Sequence, residues 1–416
     1  MVVSRISTDV TMIINLYRYC LRLIMVIFLG LLRLVDYLMP RRKNIEREGL
    51  DILLTGTFYS ANWLIPHLQP LAAAKNCRRV RMVACAPVPV MAKVEPVYPP
   101  QLLCRIIGEV PARLLIFSWL ALKDRPQVIG GFHLLLNGLF AILLARMLGV
   151  RSLYICGGGE REVSGGGYQT ENRIFKRIGR ADAVIERQLL KAVQYCDLVV
   201  VMGSEAADFF KGHGVPPPVV HIMPGGFDQE RFQPSDDVPR FDLITVGRLS
   251  AVKRVDLLLE TIALLQSRIP SVSALVVGDG PEKDLLEQQA CNLGVSDRVC
   301  FAGHQDRVED WLRQAAVFVL CSDSEGVSQA MIQAMLCGLP AVVSNVGDLK
   351  DVVTDGENGF LVSDRTPREF AESIAKLLSS PERLAAMRCN ARKAGEFYSM
   401  SSSSTRWVKI LDTDCH

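Results

Sequence analysis

The 416-residue chain has no CxxC pair among its twelve cysteines, which are scattered from Cys20 to Cys415. That dispersal excludes a zinc ribbon or a disulfide scaffold and reads as buried thiols in a reducing cytosol. Its six histidines are equally dispersed, so neither a metal site nor a metal cofactor is expected. An excess of one charge is also missing. The net charge of +3 points to no nucleic-acid partner. Low-complexity tracts and short-period repeats are absent, which excludes a solenoid. The uncharged apolar run near the N-terminus, Leu23 to Leu32, is about half of the ~20 residues a spanning helix needs.

What is present is enough chain for two domains of ordinary size and a hydrophobic share of 49%. The N-terminus differs most from the rest. From Val10 to Met39 the chain reads as one helix, on which Asn15, Arg18, Arg22, Arg33 and Asp36 project within roughly 60° of one another. Arg41 to Lys43 follow as a basic linker. This predicts an amphipathic helix lying in a membrane surface, its basic residues facing lipid phosphates. A tilted single span and a helix packed on the protein's own surface are the other readings. A cleaved signal peptide does not fit, because the apolar region starts too late and no small-residue cleavage site follows it.

Beyond the linker, short apolar runs alternate with helical patterns. "LDILLTG", "VRMVACAPV", "QVIGGFH", "RSLYICGGG" and "CDLVVVMG" read as strands of a first block. "FDLITVGRLS", "SALVVGDG", "RVCFAGH", "VFVLCS" and "PAVVS" read as strands of a second. The alternation predicts an α/β chain of two Rossmann-like, doubly wound domains. The expected divisions are an N-terminal helix and linker over 1–45, a first domain over 46–235, a second over 236–395, and a C-terminal helix over 396–416 that returns to the first domain with Trp407 as its anchor. Ligands of such folds sit at the carboxyl ends of strands.

Four elements lie at such ends in the second block. In "VGRLSAVKR" a strand delivers Arg248 and Lys253 on a glycine-containing turn, which suits a diphosphate. An ordinary solvated turn is the other reading. "GDGP" at Gly278 to Pro281 is a weak phosphate loop, and the lone His304 in "FAGHQDRV" reads as structural. In "CSDSEGVSQAMIQAML", Glu325 ends a strand and Gly326, Val327 and Ser328 open a helix whose amides can bind an anion or a hydroxyl-rich ligand. Gln333 follows Glu325 by about two helical turns.

Together "VGRLSAVKRVDLLLETIALL", "LVVGDGP", "VCFAGH", "DSEGVSQAMIQAMLCGLPAVVS" and "DGENGFLV" resemble the C-terminal half of the family 4 retaining glycosyltransferases, which have the GT-B fold. "IMPGGFDQERFQP" resembles the family's interdomain segment. The resemblance is strong over 241–362, and in the first half it rests on pattern. It implies that Arg248 and Lys253 hold the donor diphosphate, that Glu325 lies beside the donor sugar, and that Gly56 belongs to a loop approaching the phosphates and the acceptor. It places Gln333 where the family has a second glutamate that accepts from the ribose hydroxyls.

The chain departs from the family twice. Gln333 keeps one carbonyl acceptor and loses the charge, a change costing about 1 kcal/mol of affinity. The family's donor-contacting histidine aligns with Gly157, and His133, ending the preceding strand, is the expected replacement. The resemblance implies a metal-independent hexosyltransferase using a nucleoside diphosphate sugar as substrate and no cofactor. Its expected acceptor is lipid-linked or a polysaccharide, at the cytoplasmic face of the cell membrane with the protein bound peripherally. A degenerate, non-catalytic sugar-nucleotide-binding member and a nucleotide-sugar 2-epimerase are the alternatives. "DTD" at Asp412 to Asp414 has no strand before it and is taken as chance.

Overall fold

Runs such as "LVVV" and "AAVFVL" are apolar at every position, so their strands need cover on both faces. Both runs are fully buried in the computed structural model, which describes residues 2–39, 49–58, 60–170 and 172–413, with residues 2–11 as backbone only. The chain divides into two units, Met1–Gly225 with Ser403–His416, and Gly226–Ser402.

Among the described residues the first unit holds seven parallel strands: β1 (Leu50–Thr55), β2 (Cys77–Val83), β3 (Val94–Val97), β4 (Val128–Phe132), β5 (Arg151–Cys156), β6 (Leu198–Val201) and β7 (Val220–Ile222), in the order β3-β2-β1-β4-β5-β6-β7. Its helices are α1 (Val2–Leu38), α2 (Ala61–Ala73), α3 (Gln101–Ile107), α4 (Glu109–Asp124), α5 (Leu139–Leu148), α6 (Arg173–Lys176), α7 (Ala183–Val193) and α8 (Ser204–Gly212). Leu53 and Ile129 pair in register and meet α4 and α5, while Tyr154 and Val199 on the same sheet face meet α5, α7 and α1. Ile52, Leu54 and Leu153 point the other way, into α2 and the C-terminal helix. So α1, α4, α5 and α7 share one side of this sheet.

The second unit holds six parallel strands: β8 (Phe241–Val246), β9 (Ala274–Val277), β10 (Val299–Gly303), β11 (Ala315–Leu320), β12 (Ala341–Ser344) and β13 (Gly359–Val362), ordered β10-β9-β8-β11-β12-β13. Its helices are α9 (Val255–Leu265), α10 (Lys283–Asn292), α11 (Val308–Leu312), α12 (Gln329–Leu336), α13 (Pro367–Leu378) and α14 (Pro381–Glu396). Helix α15 (Met400–Asp412) begins in this unit and ends in the first, where Trp407, Ile410 and Leu411 are buried. In both sheets the strand order reverses beside the first strand, at β1/β4 and at β8/β11. That reversal is where doubly wound folds bind ligands.

The division between units falls at Gly225/Gly226, where the sequence placed it at 235/236. Phe227 and Phe232 account for the difference. Both bury in the second unit's core, and the Phe227 amide donates to the Tyr398 carbonyl at 2.9 Å. Residues 41–43 of the basic linker and Asp414 lie outside the described residues. Asp412 accepts from Asn76 Nδ2 at 2.7 Å, a tie between α15 and the turn before β2.

The N-terminal helix corrects one expectation. Arg18 and Arg22 face the protein instead of lipid phosphates: Arg18 Nη2 and Arg22 Nη2 lie 2.9 Å and 3.0 Å from Asp182 Oδ2, a carboxylate with no exposed surface. Asp36 pairs with Arg146 of α5 at 3.3 Å. A buried carboxylate needs a cation, and the narrow polar stripe supplies two at helical spacing. Leu21, Met25, Leu29 and Leu32 seat the same side of α1 on α5 and α7. Among the described residues no helix is long and apolar enough to cross a membrane.

Candidate active site

In the second unit, β8 ends at Val246 and the chain turns at Gly247. The Gly247 amide donates to the Val277 carbonyl at 3.0 Å, and the Leu249 amide to the Asp279 carbonyl at 2.9 Å. These bonds lock the turn that carries Arg248 onto the "GDG" turn after β9. A Cβ at Gly278 would lie 1.8 Å from the Gly247 carbonyl oxygen, so glycine is required there for close approach. The "GDGP" turn therefore has a packing role. Thr245, Gly247, Arg248, Lys253 and Leu320 line a small hollow at the β8/β11 reversal.

Lys253 ends a 3₁₀ turn, Ala251–Lys253, and its Nζ donates to Glu325 Oε1 at 2.5 Å. Ser322 Oγ donates to the same oxygen at 2.6 Å. The Asp323 amide donates to the Val252 carbonyl at 2.9 Å, which ties the loop after β11 to the loop after β8. Asp323 also holds Arg365 at 2.9 Å and Arg254 at 3.4 Å. The structure thus brings Arg248, Lys253 and Glu325 to one strand-end cluster. Ser322, Asp323 and Arg365 were missed by sequence reasoning. Ser322 precedes Glu325 by three residues, and that short spacing was the available signal.

The helix after Glu325 begins later than expected. Gly326 and Val327 lie in the loop, and α12 starts at Gln329 with Ser328 as its N-cap, accepting from the Met331 amide at 3.4 Å. A serine hydroxyl satisfies one of the open amides of a first turn, so Ser328 serves the helix. Gln333 is half-buried on the second turn of α12, and its side chain makes no hydrogen bond to another described residue. His304 is exposed, 3.5 Å from Asp306, and stands apart from the cluster.

The first unit has its own cluster at the β1/β4 reversal. Gly56 follows β1, and a Cβ there would meet Phe132 Cβ at 2.7 Å. His133 follows β4 with φ of 61°, a left-handed conformation that costs a non-glycine residue energy and marks a held side chain. Its Nδ1 donates to Glu162 Oε1 at 2.8 Å, and its ring stacks on Trp63 at 5.6 Å. Trp63 stacks in turn on His67 at 4.5 Å. Glu162 is buried and also accepts from the Leu134 amide (2.6 Å), the Gly158 amide (2.7 Å) and the Tyr154 hydroxyl (2.9 Å).

Burial pushes the His133 imidazole down, but the Glu162 carboxylate outweighs it and holds the ring above its ordinary value. Burial pushes Glu162 up, and His133 with the two amides outweighs that in turn, leaving the carboxyl below its ordinary value. The two effects agree on a proton shared toward His133. At Gly157 an added Cβ would meet Trp63 Cζ2 at 2.7 Å and His133 Cε1 at 3.0 Å. The space a residue-157 side chain would fill is taken by the Trp63 and His133 rings, Trp63 being the nearer. Sequence reasoning missed Glu162 and Trp63, because their partner lies 29 residues from Glu162 and outside any local motif.

Residues 226–394, nearly all of the second unit, match the family model "Glycosyl transferases group 1". The chain is 32% identical over 235 residues to D-inositol 3-phosphate glycosyltransferase 2 of Catenulispora acidiphila, covering 51% of this chain and 55% of that one. It is 34% identical over 230 residues to the D-inositol 3-phosphate glycosyltransferase of Rhodococcus opacus, covering 50% and 51%. The chain thus spans about half the length of these relatives. Among solved structures, Anabaena Alr3699/HepE in complex with UDP and glucose aligns with a TM-score of 0.67 at 17% identity, over 88% of this chain and all of that one. Sucrose-phosphate synthase (tll1590) from Thermosynechococcus elongatus aligns at 0.68 and 19% identity, over 87% and 98%. Residues 226–394 therefore match the glycosyl transferases group 1 family, and the chain has the two doubly wound parallel sheets of the GT-B glycosyltransferase fold.

Proposed function

We propose that the chain is a retaining, metal-independent hexosyltransferase of family 4, with a UDP-sugar as donor. The observation that carries the reading is the Arg248, Lys253 and Glu325 cluster, set at the β8/β11 reversal of the segment that matches the family model. Arg248 offers a fork of donors and Lys253 a point charge to a diphosphate. UDP is named in the HepE structure, which supports that base here.

The transfer asks little covalent chemistry of the protein. The anomeric carbon–phosphate oxygen bond breaks, the acceptor hydroxyl bonds to that carbon from the same face, and its proton passes to the departing phosphate. The chain's own residues position the donor and stabilise the charge that develops on the diphosphate. His133, oriented through Nδ1 by Glu162 and packed with Trp63 beside Gly157, takes the role of the family's donor-contacting histidine.

The acceptor is lipid-linked or a polysaccharide at the cytoplasmic membrane face. The outward apolar side of α1 supports a membrane location. A second acceptor reading, a phosphorylated cyclitol, is supported by the names of the two relatives above. Calorimetric titration of UDP, GDP and ADP into the protein, with Arg248→Ala alongside, tests the donor site. One nucleotide should bind and the variant should lose it. Absence of binding to folded protein overturns the enzyme reading.

A further inference from the structure

We propose that the outward side of α1, together with the outer surfaces of α3 and α4, docks the chain flat on an anionic lipid bilayer. The inference deepens the membrane-face part of the reading above and does not depend on the transfer chemistry.

Helix α1 is inverted relative to an ordinary surface helix. The charged residues between 12 and 38 are Arg18, Arg22, Arg33 and Asp36, and three of the four are spent on the protein. Outward it presents Leu16, Tyr19, Leu23, Ile27, Leu31 and Leu34, each between 44% and 65% exposed. At 1.5 Å per residue this apolar ridge runs about 27 Å. Apolar patches of more than a few hundred Å² mark an interaction surface in a water-soluble protein. The ridge does not stand alone. On the same side of the sheet, α4 exposes Leu115, Trp119 and Leu122, and the adjoining α3 exposes Leu102 and Ile106.

Charge selects the occupant. The segment from α6 into α7 carries Arg173, Lys176, Arg177, Arg180 and Arg187, all exposed. The Tyr17 hydroxyl donates to the Ile174 carbonyl at 2.8 Å, which holds this segment beside α1. Of its two acidic residues, Asp182 is buried on Arg18 and Arg22, and the half-buried Glu186 accepts from the Gly165 amide at 2.8 Å, so the five exposed cations dominate. An apolar ridge with a basic margin complements acyl chains bounded by anionic headgroups. With no helix among the described residues able to cross a bilayer, the ridge lies in the interface.

The test is flotation of the full chain with vesicles of phosphatidylcholine alone and of equal parts phosphatidylcholine and phosphatidylglycerol. The protein should float with the mixed vesicles at low salt, much less with the neutral ones, and lose the preference in high salt. Leu23→Glu with Ile27→Glu, both at exposed positions, should weaken flotation at least tenfold. Arg173→Glu with Arg177→Glu should remove the anionic preference. Brominated lipid should quench fluorescence of the parent protein, and Trp119→Phe should abolish most of that quenching, a readout independent of the charged variants. No flotation with either vesicle, flotation unchanged by Leu23→Glu with Ile27→Glu, or a lipid-free dimer that these substitutions dissociate would overturn the proposal. UDP binding is measured on the same preparation. Lost flotation with UDP binding intact defeats the docking proposal alone, and the converse defeats the donor-site reading alone.

Discussion

Lys253 Nζ donates to Glu325 Oε1 at 2.5 Å, so the cation assigned to the donor diphosphate and the carboxylate assigned to the donor sugar are each other's partners. The pair is only partly buried, with side-chain exposures of 24% and 10%. Its lysine charge is therefore already neutralised before any diphosphate arrives. Ser322 holds the shared oxygen from the other side, which keeps Glu325 in place if Lys253 turns to a phosphate.

Glu325→Gln should consequently separate binding from transfer. Removing a negative charge from beside the diphosphate should tighten UDP binding by about 1 kcal/mol, roughly fivefold. Hexose transfer should fall at least a hundredfold, because the carboxylate beside the sugar is gone. Calorimetry and product formation on one preparation check both. Weaker UDP binding in the variant would mean that Glu325 organises Lys253 for the phosphates and does not compete with them.

Gln333→Glu restores the acceptor that the resemblance implies for the ribose hydroxyls. A charged acceptor in place of a neutral one should gain about 1 kcal/mol, so UDP affinity should rise about fivefold. The gain should vanish with a 2′,3′-dideoxyribose analogue of UDP. An inactive parent that stays inactive would identify the glutamine as the mark of a non-catalytic member.

The alternation of strands and helices was legible because β6 and β11 are continuous apolar runs and β1, β4 and β8 are apolar apart from Asp51 and Thr55, Gly130 and Gly131, and Asp242 and Thr245. The strands left unread, β3, β7 and β13, are three or four residues long and lie at sheet edges. Edge strands need cover on fewer sides and tolerate proline, and β3 contains Pro96. The polar stripe of α1 was legible from helical pitch. What it faces was not, because Asp182 lies 164 residues from Arg18 and nothing local marks the aspartate as buried. The donor cluster was readable because Arg248, Lys253 and Glu325 sit in contiguous motifs. Glu162 escaped because the glycine-rich stretch around it looks like a mobile loop, and only the fold shows that it wraps onto His133.

The His133–Glu162 pair makes a signed prediction. A histidine held above 6.5 contributes stability that is full below 6.5 and is lost as pH rises through its folded value. A glutamate held below 4.5 contributes stability that is full above 4.5 and is lost as pH falls through its folded value. Their joint support is therefore greatest and flat between 4.5 and 6.5. Glu162→Gln should move the His133 titration below 6.5, since burial then acts alone, and should lower stability, because the Leu134 and Gly158 amides and the Tyr154 hydroxyl lose a charged acceptor. Proton NMR of the His133 ring reads the first effect and chemical denaturation the second. A titration still above 6.5 would show that another group raises it.

His67 slopes the profile in the window where that pair is flat. Burial pushes its imidazole down to about 4, although its Nδ1 lies 2.6 Å from the Trp63 carbonyl oxygen, and nearby His133 lowers it further. Between 6.5 and 4 the unfolded chain takes up a proton there that the folded chain refuses. Stability of the first unit should fall by about 1.4 kcal/mol per pH unit across that range, about 3 kcal/mol in all. His221, pushed down by burial as well, adds in the same direction, so the comparison must be between parent and variant. His67→Gln should lower stability at neutral pH, because the stacking on Trp63 is lost, and should flatten the decline toward pH 4. Hydrogen exchange of β1 and β4 amides in parent and variant at several pH values measures both. An unchanged slope would assign the decline between pH 6.5 and 4 to another group, His221 first among them.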